Sequence, residues 1–129
     1  MYRARPIHRL RPIDSAEMDP ATTTDLATAS KLFCGFGDRT RLAILSHLAS
    51  GEHRVTDIVD AFDASQATIS GHLKCLKECG LVLDRRTGRE VHYRIAHPEV
   101  VEVLRSAEKL LAITGQHIDL CPNYDSAQG

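Results

Sequence analysis

Three features of the chain predict a mainly α (α+β) fold. Apolar residues recur at helical spacing in successive segments from Thr23 to Cys79. The period then switches to β-forming residues on either side of a glycine, and helical spacing returns after Pro98. The order is helix, helix, helix-turn-helix, hairpin, helix: a winged helix-turn-helix with an additional helix at each end. The 129 residues suffice for one domain with a modest core. With no Trp, three Phe and three Tyr, aliphatic side chains must fill it.

Residues 1–20 read as a flexible arm, with three prolines, charges of both signs and no periodicity. Arg3, Arg5, Arg9 and Arg11 suit either phosphate contact or a tail with no defined role. The folded, dimerising domain is expected over residues 21–115, and residues 116–129 form a C-terminal tail carrying Cys121. In "TTDLATASKLFCGF" Leu26, Ala29 and Phe33 share one side of a helix, which Gly35 and Gly37 end. Asp38 is placed to cap "DRTRLAILSHLASG", where Leu42, Leu45 and Leu48 mark the buried stripe and Gly51 the stop. The shorter "RVTDIVDAFD" turns Val55, Ile58 and Phe62 inward. After a break at Asp63 and Ala64, Ser65 caps "SQATISGHLKCLKECG", which Gly80 closes. "LVLDRR" and "EVHYRI" flank "TGR" and read as a hairpin with Gly88 at its tip. Pro98 opens the last helix, on which Val100, Leu104, Ala107 and Leu111 fall within about 40° of one line. The first and last helices carry apolar stripes beyond what so small a core can use, and are natural dimerisation elements.

No apolar run approaches the ~18 residues of a membrane helix. The N-terminus lacks the apolar centre of a secretion signal, so a soluble, cytoplasmic protein is expected. Net charge is −1, yet residues 65–95 hold six cations against three acids. A basic segment on an otherwise acidic body fits either a nucleic-acid footprint or a solvated surface. No catalytic constellation is present: "CGFGD" lacks the preceding strand and third glycine of a nucleotide loop, and no nucleophile motif occurs. A non-enzymatic protein is expected.

The helix after Ser65 has distinct faces. At about 100° per residue with Ile69 at zero, Leu73 and Leu76 lie within ~40° and define a core face. Gln66, Ser70, Lys74 and Lys77 fall between about 60° and 140°, a donor-bearing face suited to a DNA major groove. Cys75 and Cys79 fall near 240° and 280°, almost opposite. Side chains four apart stand roughly 5–6 Å apart at Cβ, too far for the ~3.8 Å of a disulfide. The pair therefore reads either as two small buried hydrophobes or as bidentate thiolate ligands for a soft metal. A third thiol at Cys121 strengthens the second reading if the fold brings it near.

The run "FGDRTRLAILSHLASGEHRVTDIVDAFDASQATISGHLKCLKECGLVLDRRTGREVHYRI" resembles the ArsR/SmtB family of bacterial metal-responsive repressors. The S-x-x-T-I-S-x-H-L-x-x-L pattern, G-L-V and the G-R-x-x-x-Y wing carry the resemblance, which spans roughly residues 24–114. Within the family, C-L-x-x-C-G-L with a tail cysteine is similar to the CmtR type of cadmium and lead sensor. The resemblance implies metal ligands at Cys75, Cys79 and Cys121, with cadmium or lead as effector and zinc as a further candidate. It also implies a homodimer that holds double-stranded operator DNA when metal-free and releases it on binding metal. Residues expected at the DNA are Ser65, Gln66, Ser70, Lys74, Arg86 and Arg89. Two other family sites are missing. Arg54 and Thr56 stand where arsenic-type members have C-x-C, and the zinc-type set along the last helix falls on His97, Glu99, Leu110 and Ile113, two of which cannot ligate.

Three further residues are candidate ligands. Cys34 reads as a packed core thiol or a fourth ligand, His72 as a structural histidine, and His117, four residues before Cys121, either as an assisting ligand or as an idle tail residue. Two further functions remain open at this level: a thiol redox or arsenic(III) switch on the same fold, and a metal-trafficking protein without DNA binding.

Overall fold

The computed structural model describes residues 20–121. The arm expected at residues 1–20 therefore lies, apart from Pro20, outside the described residues, as does the tail beyond Cys121. The elements are α1 (Pro20–Phe36), α2 (Arg39–Leu48), β1 (His53–Arg54), α3 (Val55–Phe62), α4 (Gln66–Glu78), β2 (Val82–Thr87), β3 (Glu90–Ile95) and α5 (Pro98–Ile113). This is the mainly α winged helix-turn-helix expected. The chain divides into two compact units, residues 1–31 and residues 32–129. In the first, residues 24–31 of α1 are exposed throughout, Leu26 included. No helix among the described residues is long and apolar enough to cross a membrane.

The second unit holds the core. Ile44, Leu45 and Leu48 of α2, Ile58 of α3, Ile69, Leu73 and Leu76 of α4, Leu81 and Val82, and Val100, Val101 and Leu104 of α5 form one buried cluster. Fully burying one such aliphatic side chain stabilises the fold by roughly 2 kcal/mol. The helix ends follow the sequence signals. Asp38 Oδ2 accepts the Arg41 N–H at 3.0 Å to start α2, and this hydrogen bond holds the Asp38 carboxyl below its usual value. Ser65 Oγ accepts the Thr68 N–H at 3.1 Å to start α4. Asp63, with φ 47°, makes the left-handed break between α3 and α4.

Two features differ from expectation. The sheet has three strands in the order β1-β3-β2, because His53 and Arg54 pair antiparallel with Tyr93 and His92. A two-residue strand is too short to leave a periodic signal. Gly35 is also no helix terminator, since α1 continues through Phe36. A Cβ at Gly35 would lie 2.9 Å from Leu81 Cδ1 and 3.4 Å from both Cβ and Sγ of Cys79. Glycine is there for close packing. The end of α1 is capped instead by the Arg41 guanidinium, which donates to the carbonyls of Cys34 (2.8 Å) and Gly35 (3.2 Å).

His47 stacks on His53 with ring centroids 4.2 Å apart and meets the edge of Phe62. Burial first, and the neighbouring His53 second, push the His47 pKa below the ordinary histidine value. The unfolded chain thus takes up a proton before the folded one does. Stability from this residue is complete above about pH 6.5 and is lost as pH falls through the lower folded value. Urea unfolding is expected to show a smaller loss between about pH 7.5 and 5.5 in His47→Gln than in the wild type.

Candidate nucleic-acid interface and thiol site

Packing orients α4. Ile69, Leu73 and Leu76 are at most 1% exposed, so the helix cannot rotate without lifting all three from the core. That fixes Gln66, Ser70, Lys74 and Lys77 outward, where all are exposed, with Ser65 exposed at the cap. Next to this face projects the wing. Val82 anchors it, and β2 and β3 pair from Val82↔Ile95 to Thr87↔Glu90. Gly88, with φ +62°, is the first residue of the two-residue loop, as a type II′ hairpin requires. An open cleft of about 390 Å³ between helix and wing is lined by Gln66, Ser70, Arg54, Arg89 and Tyr93, among others.

The cations on this side are of two kinds. Arg54 holds Asp57 through two hydrogen bonds of 3.0 Å and Glu90 through one of 2.9 Å. Arg85 holds Glu52, at 2.7 Å in its shortest contact, and Lys77 holds Asp84 at 3.0 Å. These partners push the Glu52, Asp57 and Glu90 carboxyls below, and Arg54, Arg85 and Lys77 above, their usual values. His92 stands between Glu52 (3.7 Å) and Glu90 (3.3 Å). Such exposed pairs are individually weak, but together they tie β1, α3 and α4 to the hairpin. Lys74, Arg86, Arg89 and Arg94 make no ion pair among the described residues. They are the positive charge left for a polyanion. Lys77, on the polar face by its angle, is already committed to Asp84.

The thiols lie elsewhere. Cys75 and Cys79 are both half-buried, and Cys79 packs against Gly35 and the core. Cys79 also ends α4, its N–H bonding to the Cys75 carbonyl at 3.0 Å. Cys121 is 6% exposed and belongs to the core of its own chain. Among the described residues no three His, Cys, Asp or Glu side chains are grouped to hold a metal. Cys75, Cys79 and Cys121 of one chain are thus not gathered as a three-thiol group. Cys34, expected in the core, is exposed: at the end of α1 it is Gly35 that is buried, not its neighbour. His72 Nδ1 lies 3.9 Å from Asp38 Oδ2, linking α4 to the start of α2. His117 is exposed in the tail. His97 precedes α5 and Glu99 lies in its first turn, while Leu110 and Ile113 are 64% and 82% exposed.

Residues 38–83 match the family described as bacterial regulatory protein, arsR family. The "Probable mercury resistance operon repressor" of Streptomyces lividans is 33% identical over 102 residues, covering 79% of this chain and 80% of that protein. The chain belongs to the ArsR family. The arsenical resistance operon repressor of Escherichia coli is 48% identical to this ArsR-family chain over 67 residues, 51% of this chain and 57% of that one. Among solved structures, the homodimeric winged helix-turn-helix DNA-binding domain Mb0332 of Mycobacterium bovis superposes with a TM-score of 0.67 at 28% identity. It covers 79% of this chain and 92% of its own. An ArsR-family chain is a DNA-binding transcriptional regulator, not an enzyme.

The Gly35 contact sets a test of how tightly α1 seats on the thiol side of α4. Gly35→Ala is expected to cost roughly 1–3 kcal/mol, the usual range for overpacking. Urea unfolding measures it, and Gly71→Ala, with open space around its Cβ, is the matched control.

Proposed function

We propose that this ArsR-family chain is a repressor that binds operator DNA as a homodimer and releases it when a soft metal ion, cadmium or lead, binds cysteine thiolates. Zinc is a weaker candidate for the same donors. The observation that carries the reading is the division of α4: polar side chains outward on one face, two thiols on the other. A ligand on Cys75 and Cys79 leaves the groove-facing side chains untouched, so metal and DNA engage the helix at once and their coupling passes through its position. The names of relatives, a mercury and an arsenical resistance repressor, favour a soft thiophilic effector. Thiolate donors select such ions.

Ser65, Gln66, Ser70 and Lys74 then meet the major groove, and Arg86 and Arg89 meet the backbone or minor groove beside it. The exposed apolar residues Leu32 and Phe33 of α1 and Leu110 and Ile113 of α5 form the dimer surface, as the homodimeric Mycobacterium bovis domain suggests. Cys121 of one chain completes the ligand set of Cys75 and Cys79 in the other. In this reading the dimerising domain is residues 21–115 and the ligand-bearing tail residues 116–129.

Fluorescence anisotropy on the chain's own upstream DNA tests this. If about six phosphates are neutralised, log K should fall with log salt at a slope near −5. Lys74→Ala and Arg89→Ala should each reduce that slope by about one, while Lys77→Ala, already paired with Asp84, should change it less. Cadmium should release the DNA and produce a thiolate charge-transfer band, whereas Cys75→Ser and Cys79→Ser should bind DNA and ignore the metal. Release by peroxide but not by cadmium would move the reading to a redox switch. Loss of DNA binding in the metal-free serine variants would make the cysteines core packing.

A further inference from the structure

Past Gly115 the chain turns back along α5, its first bond running from the Gln116 N–H to the Leu111 carbonyl at 2.8 Å. Four residues later two successive backbone N–H groups, those of Leu120 and Cys121, donate to a single carboxylate oxygen, Glu108 Oε2; the second bond is 3.3 Å long. Glu108 is half-buried on α5. Leu120 packs against the core and, with Asp119, forms a wall of a groove of about 610 Å³ along Phe36, Leu42 and Ala43. The Cys121 side chain sits inside that core.

This position conflicts with ligation. A thiol must reach the metal and lose its proton to bind it, and buried thiols are inert compared with exposed ones. Cys121 is buried, and no metal-holding cluster forms around it among the described residues. The docked tail and the ligating tail are therefore different states. We propose that Glu108 is a latch: its carboxylate holds the tail by two backbone N–H groups, stores Cys121 out of reach in the metal-free chain, and must let go before Cys121 can ligate. The metal-binding half rests on the thiolate reading above; the latch itself does not.

The latch suits reversible opening. Its donors belong to a segment whose neighbours, residues 116–119, are exposed, so on release the N–H groups and the carboxylate all find water. Charge-assisted hydrogen bonds of this kind shift an equilibrium by roughly ten- to a hundred-fold. A metal that needs the released tail binds more weakly by the fraction of time the tail is free. Glu108 thereby sets the threshold concentration at which the sensor responds.

Pulsed alkylation of the full, metal-free chain, with each cysteine quantified by mass spectrometry, tests the proposal. Exposed Cys34 is the internal reference. In the wild type Cys121 should label far more slowly than Cys34. Glu108→Ala should speed Cys121 about ten-fold or more with Cys34 unchanged, and Glu108→Gln, which keeps an acceptor oxygen, should fall between. Leu120→Asp attacks the same docking from its apolar side and should have the same effect, which covers the case of a poorly folded Glu108→Ala. Cadmium should bind Glu108→Ala more tightly by the factor seen in labelling. The latch is overturned if Cys121 labels as fast as Cys34 in the wild type, or if neither variant speeds it. Faster labelling with unchanged cadmium affinity upholds the latch and removes Cys121 from the ligand set.

Discussion

Everything functional on this chain depends on the burial of three aliphatic side chains, Ile69, Leu73 and Leu76, on one line of α4. An α-helix repeats every 3.6 residues, so fixing one line fixes all others. With that stripe in the core, Gln66, Ser70 and Lys74 must point to solvent, and Cys75 and Cys79 must lie on the remaining side, where Cys79 meets Gly35 of α1. The helix cannot present its thiols and its groove-facing residues in the same direction. The proposed reading head and effector site thus share one helix and its caps, from Ser65 to Cys79, without competing for space.

The wing shows how charge is distributed around that head. Three of the cations nearby are spent within the fold: Arg54 on Asp57 and Glu90, Arg85 on Glu52, Lys77 on Asp84. Their role is to hold a thin, exposed hairpin in place relative to α3 and α4, which few buried side chains could do. Only Val82 of β2 is buried. The charges left over, on Lys74, Arg86, Arg89 and Arg94, lie on α4 and the hairpin. A net charge near zero therefore hides a locally cationic surface.

The fold was legible because its signals are periodic or chemical. Apolar spacing marked each helix, Asp38 and Ser65 marked two helix starts, and Gly88 marked the wing tip. What escaped was whatever depends on contacts distant in sequence. β1 is two residues long and exists only because β3 pairs with it. Gly35 looked like a helix stop, since close packing against Leu81 and Cys79 leaves no trace in neighbouring residues. Cys34 looked buried, because the helix pattern locates an apolar face and not what covers it. At the site, the angular separation of polar and thiol faces on α4 could be read from the sequence. The docking of Cys121 could not: it depends on Glu108, twelve residues before Leu120 on another element, and on a core assembled from every helix of the second unit.

In the proposed repressor a metal joins Cys75 and Cys79 of one subunit to Cys121 of the other. Mixed dimers measure it most directly. One chain carries Cys121→Ser and its partner carries Cys75→Ser with Cys79→Ser, and the cadmium–thiolate absorbance is titrated per dimer. Sharing across subunits predicts one complete three-thiolate site in the mixed dimer and none in either variant's homodimer. A mixed dimer with no three-thiolate site would contradict the account.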